Sequence, residues 1–157
     1  MDIIGYNDND ISVPSHIGII MDGNRRWAKS KLLPIKKGHL EGVKALKRVL
    51  KHIKNDDIPV KYLSVYAFST ENWSRSEEEV SNLMEIFLKY INDIIEDDEG
   101  LRVKIIGDKT AFSNELINKM NIMEEKTSNN TGCTLGVCLN YSGRSDIIQA
   151  VKILQIK

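Results

Sequence analysis

Residues 16–27 read HIGIIMDGNRRW, an apolar run that ends in Asp-Gly-Asn and is followed by two arginines and a tryptophan. The apolar block from Ile17 to Met21 is too short for a helix, and the Gly-Asn turn signal after it favours a strand buried in a parallel sheet. Ligands of such sheets bind beyond the carboxyl ends of the strands. The stretch therefore predicts a strand that delivers Asp22 and its neighbours to a binding site.

The segment after this strand contains the residue types that bind phosphate. Gly23 and Asn24 tolerate unusual backbone angles at which successive N–H groups converge on an anion. Arg25 and Arg26 add guanidinium groups whose paired donors match phosphate oxygens. Because the Asp22 carboxylate would repel a bare phosphate, the group makes chemical sense if Asp22 binds magnesium together with phosphate oxygens. On spacing alone, a strand-end Asp that caps a turn beside ordinary surface arginines is an equal alternative.

Charge is polarised around this segment. Every charged residue from Arg25 to Lys37 is basic, although the chain as a whole has 22 basic and 22 acidic residues. The neutral total argues against a general nucleic-acid binder, whereas a basic loop beside a strand end suits a small polyanion such as a diphosphate. Gly38 and His39 open the next predicted helix, where an imidazole and helix amides would lie beside the same loop.

Length and composition set the class of protein. A chain of 157 residues with 41% hydrophobic residues has the length of one domain and enough apolar residues for a single core. Its apolar stretches are shorter than a membrane span, and the acidic start, Met1 to Asp10, is not a signal peptide, so we expect a cytoplasmic protein. Cys133 and Cys138 lack metal-ligand spacing and would face opposite sides of a strand, which favours buried free thiols.

Strands and amphipathic helices alternate along the rest of the chain. Helices are predicted from about Gly38 to Asn55, along the stripe of Leu83, Phe87 and Ile91, around Leu116 and Met120, and from Ile147 to Leu154. Further strands are predicted at Tyr62 to Phe68, Val103 to Ile106 and Leu135 to Leu139. Four β-α units imply an α/β fold, a parallel sheet with helices on both faces.

Polar and aromatic residues follow each predicted strand. These segments are Asp22 to Trp27, Ser69 to Arg75, Gly107-Asp108 and Asn140 to Arg144. Because the carboxyl ends of parallel strands meet at one edge of the sheet, we expect an active site there. Trp27 and Trp73 lie on such polar segments, where a core role is hard to explain.

Five motifs occur in order along the chain. They are HIGIIMDGNRRWA at 16–28, Gly-His at 38–39, YAFSTENWSR at 66–75 with Glu79-Val80 after it, IIGD at 105–108, and NYSGRSDI at 140–147. With these motifs the sequence resembles the cis-prenyltransferases, the undecaprenyl diphosphate synthase family, from His16 to its C-terminus. The resemblance implies an N-terminal extension, residues 1–15, and an incomplete catalytic domain, residues 16–157, with the family's parallel sheet lacking its last elements.

The resemblance also implies a reaction. The family condenses isopentenyl diphosphate with an allylic diphosphate such as farnesyl diphosphate, uses magnesium, and makes cis-polyprenyl diphosphates. Asp22 would bind the magnesium and assist departure of the allylic diphosphate, which Gly23, Asn24, Arg25 and Arg26 would hold. The other positions that match substrate-contacting ones are Trp27, His39, Ser69, Thr70, Glu71, Trp73 and Arg75.

Two family positions keep open alternatives. Asn72 matches the position assigned as proton acceptor, but an amide is not basic, so Asn72 could instead orient a diphosphate or water while a phosphate oxygen takes the proton. Glu79 matches a position near the family's hydrophobic tunnel and reads equally well as a helix-start carboxylate. Leu83, Phe87 and Ile91 are candidates for the tunnel wall, with core packing as the alternative.

The chain departs from the family pattern in two places. Ile35 replaces a diphosphate-binding arginine, and Lys36 or Lys37 would not reproduce its bidentate fork. Family members also continue past this chain with an Arg-x-Ser-x-x-Arg motif for isopentenyl diphosphate, a second acidic magnesium ligand and dimer contacts, which we expect to be missing here. The alternative function is an inactive fragment that binds allylic diphosphate or pairs with a full-length homologue.

The remaining expectations concern partners. The resemblance implies the two diphosphates as substrates, no nucleic acid, membrane contact that is at most peripheral and made through the lipid product, and a homodimer if the protein is complete.

Overall fold

A single parallel sheet organises the chain, which a computed structural model describes over residues 13–56, 58–96 and 100–155. The strands are β1 (His16–Ile20), β2 (Tyr62–Ser69), β3 (Arg102–Ile106) and β4 (Thr134–Tyr141). The α-helices are α1 (Asn24–Ser30), α2 (Ile35–Asn55), α3 (Glu77–Glu96), α4 (Asn114–Lys126) and α5 (Gly143–Gln155). Short 3-10 helices span Thr70–Ser74 and Lys109–Ala111.

The strands lie in the order β1-β2-β4-β3, and all neighbours are parallel. One row of paired residues runs across the whole sheet through Ile19, Val65, Val137 and Ile105. The predicted parallel sheet of β-α units is therefore confirmed, with each predicted strand found within two residues of its expected bounds.

The core lies on one face of this sheet. Leu63, Val65 and Leu135 are fully buried there against apolar side chains of α2, α3 and α4. The opposite face carries small or polar residues such as Gly18, which is exposed, and Ser64, which is half-buried. We predicted helices on both faces, but among the described residues α5 is exposed from Gly143 to Leu154 and buries no side chain against the sheet.

Two helix boundaries differ from prediction. The basic segment expected to be a loop contains α1, whose Ala28 is fully buried. The next helix begins at Ile35 rather than at Gly38 because Pro34, with φ −58°, is its N-cap. Gly38 and His39 therefore lie inside α2, and what they bring to the site is the imidazole rather than the first helix amides.

The outer edge of β3 is closed by side chains of α4. The Val103 N–H donates to Thr127 Oγ1 at 3.1 Å, and the Ile105 N–H donates to Glu124 Oε1 at 2.9 Å. Thr127 is buried, and its hydroxyl donates in turn to the Met123 carbonyl at 2.8 Å. Two amides that a further strand would need are thus already paired.

The remaining predictions concern the two cysteines, the N-terminal extension and the absence of a membrane span. Cys133 is buried and Cys138 half-buried, both are free thiols, and burial raises the pKa of each. Of the predicted extension, residues 1–12 lie outside the described residues, while the Ser15 carbonyl already accepts from the N–H of Tyr62 at 3.0 Å. Within the described residues, every helix is too short or too polar to cross a bilayer.

Candidate active site

A cavity of about 550 Å³ opens at the carboxyl ends of β1 and β2, where the sequence predicted a site. Its polar wall consists of Asp22, Gly23, Asn24, Arg25, Arg26, Lys29, His39, Tyr66, Ser69, Asn72 and Arg75. Its apolar wall consists of Ile20, Met21, Val43, Ala67, Phe68, Leu83, Ile86 and Phe87. The cavity therefore combines four cationic side chains with a surface suited to hydrocarbon.

The turn after β1 sets the polar wall. Gly23 has φ +85°, a left-handed conformation that glycine adopts without strain, and it is the N-cap of α1. The Asp22 carboxylate accepts from the Gly23 N–H at 2.6 Å and from Arg26 at 2.9 Å. The Asp22 side chain is 75% exposed, so its carboxylate is accessible from the cavity.

The start of α2 packs directly on this turn. A methyl group added at Gly38 would lie 2.2 Å from the Asn24 carbonyl oxygen and 3.0 Å from Ala28 Cβ. A methyl group at Gly42 would lie 2.7 Å from the Asn24 side-chain amide. The absence of a side chain at both positions lets α2 approach the turn and brings His39 to the cavity.

One buried carboxylate connects three residues of the polar wall. The Glu79 side chain is 6% exposed, and Arg75 Nη1 donates to its Oε1 at 3.0 Å. His39 Nε2 lies 3.3 Å from Oε1, and Arg25 Nε lies 3.6 Å from Oε2. Glu79 also lies in the first turn of α3, where its N–H donates to Ser76 Oγ at 3.3 Å. Of the two alternatives for Glu79, the helix-start position is confirmed, and the contacts add a second role.

Burial sets the protonation of His39. It lowers the pKa of the imidazole from its ordinary value of 6.5, and this effect exceeds the opposing effect of the hydrogen bond to Glu79. The neutral ring therefore predominates at pH 7. Since a carboxylate only accepts, Nε2 carries the proton and donates to Glu79.

Asn72 is fixed by the turn that follows β2. Its side-chain oxygen accepts from the Ser69 N–H at 3.1 Å, and the Ser69 side chain accepts from the Asn72 N–H, which makes a reciprocal capping box. The oxygen is thus engaged, and the amide nitrogen is the group that Asn72 can offer to a ligand. Both roles left open for Asn72, orienting a ligand and accepting a proton, stay predictions.

Four predicted site residues lie outside the cavity wall, namely Trp27, Thr70, Glu71 and Trp73. Trp73 packs edge-on against Phe68, with ring centroids 5.0 Å apart, and its indole N–H donates to Asn140 Oδ1 at 2.8 Å. The inference that Trp73 is hard to explain as core is therefore wrong, because an indole can pack against the core and still satisfy its single donor. Trp27 is 41% exposed on α1.

Eight wall residues were not among the predicted site residues, namely Ile20, Met21, Lys29, Val43, Tyr66, Ala67, Phe68 and Ile86. Lys29 lies on the same helix as Arg25, at i+4, and a helix prediction for the basic segment would have found it. Val43 and Ile86 follow His39 and Leu83 at helical spacing. Of the three tunnel candidates, Leu83 and Phe87 line the cavity, whereas Ile91 belongs to the core.

The basic residues beside Ile35 do not take the place of an arginine in the wall. Ile35 is half-buried in the first turn of α2, and Lys36 Nζ pairs with Glu85 at 2.6 Å. Lys37 is exposed and is absent from the cavity wall. Three of the four cationic residues that line the cavity lie instead on α1.

Comparison with known proteins identifies the family of this chain. A family model described as "Putative undecaprenyl diphosphate synthase" matches residues 20–157. The chain belongs to the undecaprenyl diphosphate synthase family. This confirms the resemblance carried by the five sequence motifs.

Two curated relatives of the family illustrate the match. An isoprenyl transferase of Clostridium perfringens is 46% identical over 142 residues, which are 89% of this chain and 55% of the relative. An isoprenyl transferase of Neisseria meningitidis is 43% identical over 145 residues, which are 91% of this chain and 58% of the relative. The chain thus spans somewhat more than half the length of these relatives.

Solved structures show the same fold. The lavandulyl diphosphate synthase of Lavandula x intermedia, in complex with dimethylallyl diphosphate, has a TM-score of 0.85 at 29% identity, covering 92% of this chain and 62% of that one. A probable undecaprenyl diphosphate synthase of Campylobacter jejuni has a TM-score of 0.73 at 27% identity, covering 89% and 60%.

Proposed function

We propose that this chain is the diphosphate-binding part of an isoprenyl transferase, which condenses isopentenyl diphosphate with an allylic diphosphate such as farnesyl diphosphate to give a cis-polyprenyl diphosphate. The observation that carries the proposal is the mixed lining of the cavity, which combines the cations of α1 and Arg75 with the apolar side chains of Leu83, Ile86 and Phe87. A diphosphate with a hydrocarbon tail matches both kinds of lining residue. The names of the curated relatives favour this function over an inactive fragment.

The reaction needs charge stabilisation where the allylic C–O bond breaks. Diphosphate leaves with the electrons of the allylic C–O bond, and the allylic carbon bonds to the terminal alkene carbon of isopentenyl diphosphate. A proton is then lost from the methylene next to the other alkene carbon, which forms the new double bond. Arg25, Arg26 and Lys29 would bind the leaving diphosphate and stabilise its growing negative charge. Phe68 and Phe87 would exclude water from the allylic cation.

Asp22 is the residue that would hold a magnesium ion. It supplies one accessible carboxylate, and Mg²⁺ often takes one or two carboxylates and completes its shell with water and substrate phosphates. No group of three or more candidate metal-ligating side chains occurs among the described residues, so the donor set fits this shared mode rather than a protein cage. Bound there, magnesium would neutralise charge on the departing diphosphate.

The remaining roles rest on the family resemblance. Asn72 would orient the diphosphate or a water through its amide nitrogen, and a phosphate oxygen would accept the proton. Ser69, Thr70, Glu71 and the two tryptophans are further predicted substrate contacts. A homodimer and a cytoplasmic location are also predictions, which light scattering and cell fractionation would test.

Incorporation of labelled isopentenyl diphosphate into butanol-extractable product tests the proposal. The purified chain is assayed with farnesyl diphosphate and magnesium beside Asp22→Asn and the control Asp56→Asn. Asp56 is an exposed carboxylate that pairs at 2.9 Å with a basic residue four positions away, as Asp22 does, but it lies at the far end of α2. We expect turnover that Asp22→Asn abolishes and Asp56→Asn preserves.

A binding measurement tests the proposed diphosphate site independently of turnover. Calorimetric titration with a non-hydrolysable farnesyl thiolodiphosphate should show saturable binding to the same chain. Absence of both binding and turnover in a folded sample would reject the proposed function, and binding without turnover would reject the transferase activity alone.

A further inference from the structure

Glu79 contacts residues of the cavity wall but does not line the cavity itself. Its carboxylate contacts Arg25, His39 and Arg75, all of which line the cavity, while Glu79 itself does not. The three partners come from α1, α2 and the segment that precedes α3. One carboxylate therefore fixes three separate segments relative to one another.

The charge balance makes the two arginines the essential partners. A buried carboxylate is costly unless it is paired and hydrogen-bonded. His39 is predominantly neutral, so the positive charge opposite Glu79 comes from Arg75 at 3.0 Å and Arg25 at 3.6 Å. Among the described residues, no second carboxylate lies within ion-pair distance of either guanidinium.

The contacts also leave donors for a ligand. Arg75 uses Nη1 and Arg25 uses Nε toward Glu79. A guanidinium is planar and has five N–H donors in fixed directions, so anchoring one nitrogen sets the directions of the others. We propose that Glu79 is a positioning residue, which holds Arg25 and Arg75 in the orientation that binds the diphosphate of the substrate. This inference rests on the proposed function.

A positioning role and a purely electrostatic effect of Glu79 predict opposite changes in diphosphate affinity when its charge is removed. Removing a negative charge beside an anion site makes the site more positive and should strengthen diphosphate binding. If Glu79 instead holds the arginines in place, its removal frees them to adopt other rotamers, and binding should weaken although the net charge has become more favourable. The sign of the change therefore decides between the two.

The experiment measures the Kd of inorganic diphosphate by titration calorimetry for wild type, Glu79→Gln and Glu78→Gln. Glu78 is the adjacent residue on α3, is exposed, and loses the same charge on substitution. We expect binding about tenfold weaker in Glu79→Gln and unchanged in Glu78→Gln. Binding as tight as wild type, or tighter, in Glu79→Gln would overturn the inference.

A second readout needs no ligand. Phenylglyoxal modification, followed by mass spectrometry, measures the accessibility of Arg75, with the exposed Arg102 on β3 as internal reference. Arg75 is 24% exposed, and we expect faster modification when Glu79 no longer holds it. If wild type binds no diphosphate, the proposed function fails, while faster modification still supports positioning and an unchanged rate overturns it.

The conservative variant covers a folding failure. If circular dichroism shows that Glu79→Gln is unfolded, Glu79→Asp replaces it, because it keeps the charge and shortens the side chain by one methylene. Wild-type affinity together with a wild-type modification rate would count as rescue and support the inference. Weaker binding together with faster modification would support it as well, whereas either change without the other would overturn it.

Discussion

Replacement of Gly38 by alanine should destabilise the protein although alanine is the better helix former. In a helix interior, Gly to Ala gains about 1 kcal/mol of intrinsic propensity. The new methyl group would lie 2.2 Å from the Asn24 carbonyl oxygen, where carbon contacts are normally about 3.5 Å or more, so α2 and the turn would have to separate by roughly 1 Å. Overpacking of this kind costs about 1–3 kcal/mol.

The net effect is a loss of up to about 2 kcal/mol in the free energy of unfolding. For a chain of this length each kcal/mol corresponds to about 2–4 °C, so the Tm should fall by up to roughly 8 °C. Thermal unfolding followed by circular dichroism measures this directly. Diphosphate affinity should fall as well, because the displaced turn carries Asp22 and Asn24.

Gly42→Ala is the matched control four residues along the same helix. The atoms nearest its added methyl group belong to the Asn24 side-chain amide, at 2.7 Å, which can rotate away, whereas the nearest atom at Gly38 is a backbone oxygen. We expect unchanged or slightly higher stability. A rise in Tm for Gly38→Ala equal to that of Gly42→Ala would refute the reasoning, since it would show that helix propensity alone decides.

Three further predictions concern single groups. The folded-state pKa of His39 lies below its unfolded value of 6.5, so the unfolded chain binds more protons than the folded chain as the pH falls through 6.5. The free energy of unfolding, measured by urea titration, should therefore decrease over this pH range, and it should decrease less steeply in His39→Asn. Trp73→Phe leaves the buried Asn140 oxygen without its donor and should lower the free energy of unfolding by about 1–3 kcal/mol. An unchanged midpoint of chemical denaturation would contradict this prediction. Thr127→Val removes the buried acceptor of the Val103 N–H and should also cost about 1–3 kcal/mol, with faster hydrogen exchange at Val103; wild-type exchange there would argue against it.

The sequence patterns that predicted the fold are local ones. Short apolar runs located the four strands, and helical spacing located every long helix because it reports burial of one face. The short helix α1 escaped because its seven residues bury only Ala28, too little for a periodic signal. The expectation of helices on both faces came from the topology of β-α units, whereas Gly18 and Ser64 already marked the second face as less apolar.

The site was predictable where residues adjoin a strand end. Asp22 to Arg26 and Ser69 reach the cavity because parallel strands deliver their carboxyl ends to one edge. The contact between His39 and Glu79 spans 40 residues and depends on how α2 packs against α3, which no local spacing encodes. Trp73 shows the same limit, since its partner Asn140 lies 67 residues away.

The paired amides at the outer edge of β3 restrict where a further strand can pair with the sheet. A strand added beside β3 would have to displace Thr127 and Glu124, and Glu124 also holds Lys109 at 2.5 Å. At the opposite edge, no side chain among the described residues accepts from a β1 amide. We therefore expect any further strand, whether from the same polypeptide or another, to pair with β1, the strand that leads to Asp22 and the proposed diphosphate site.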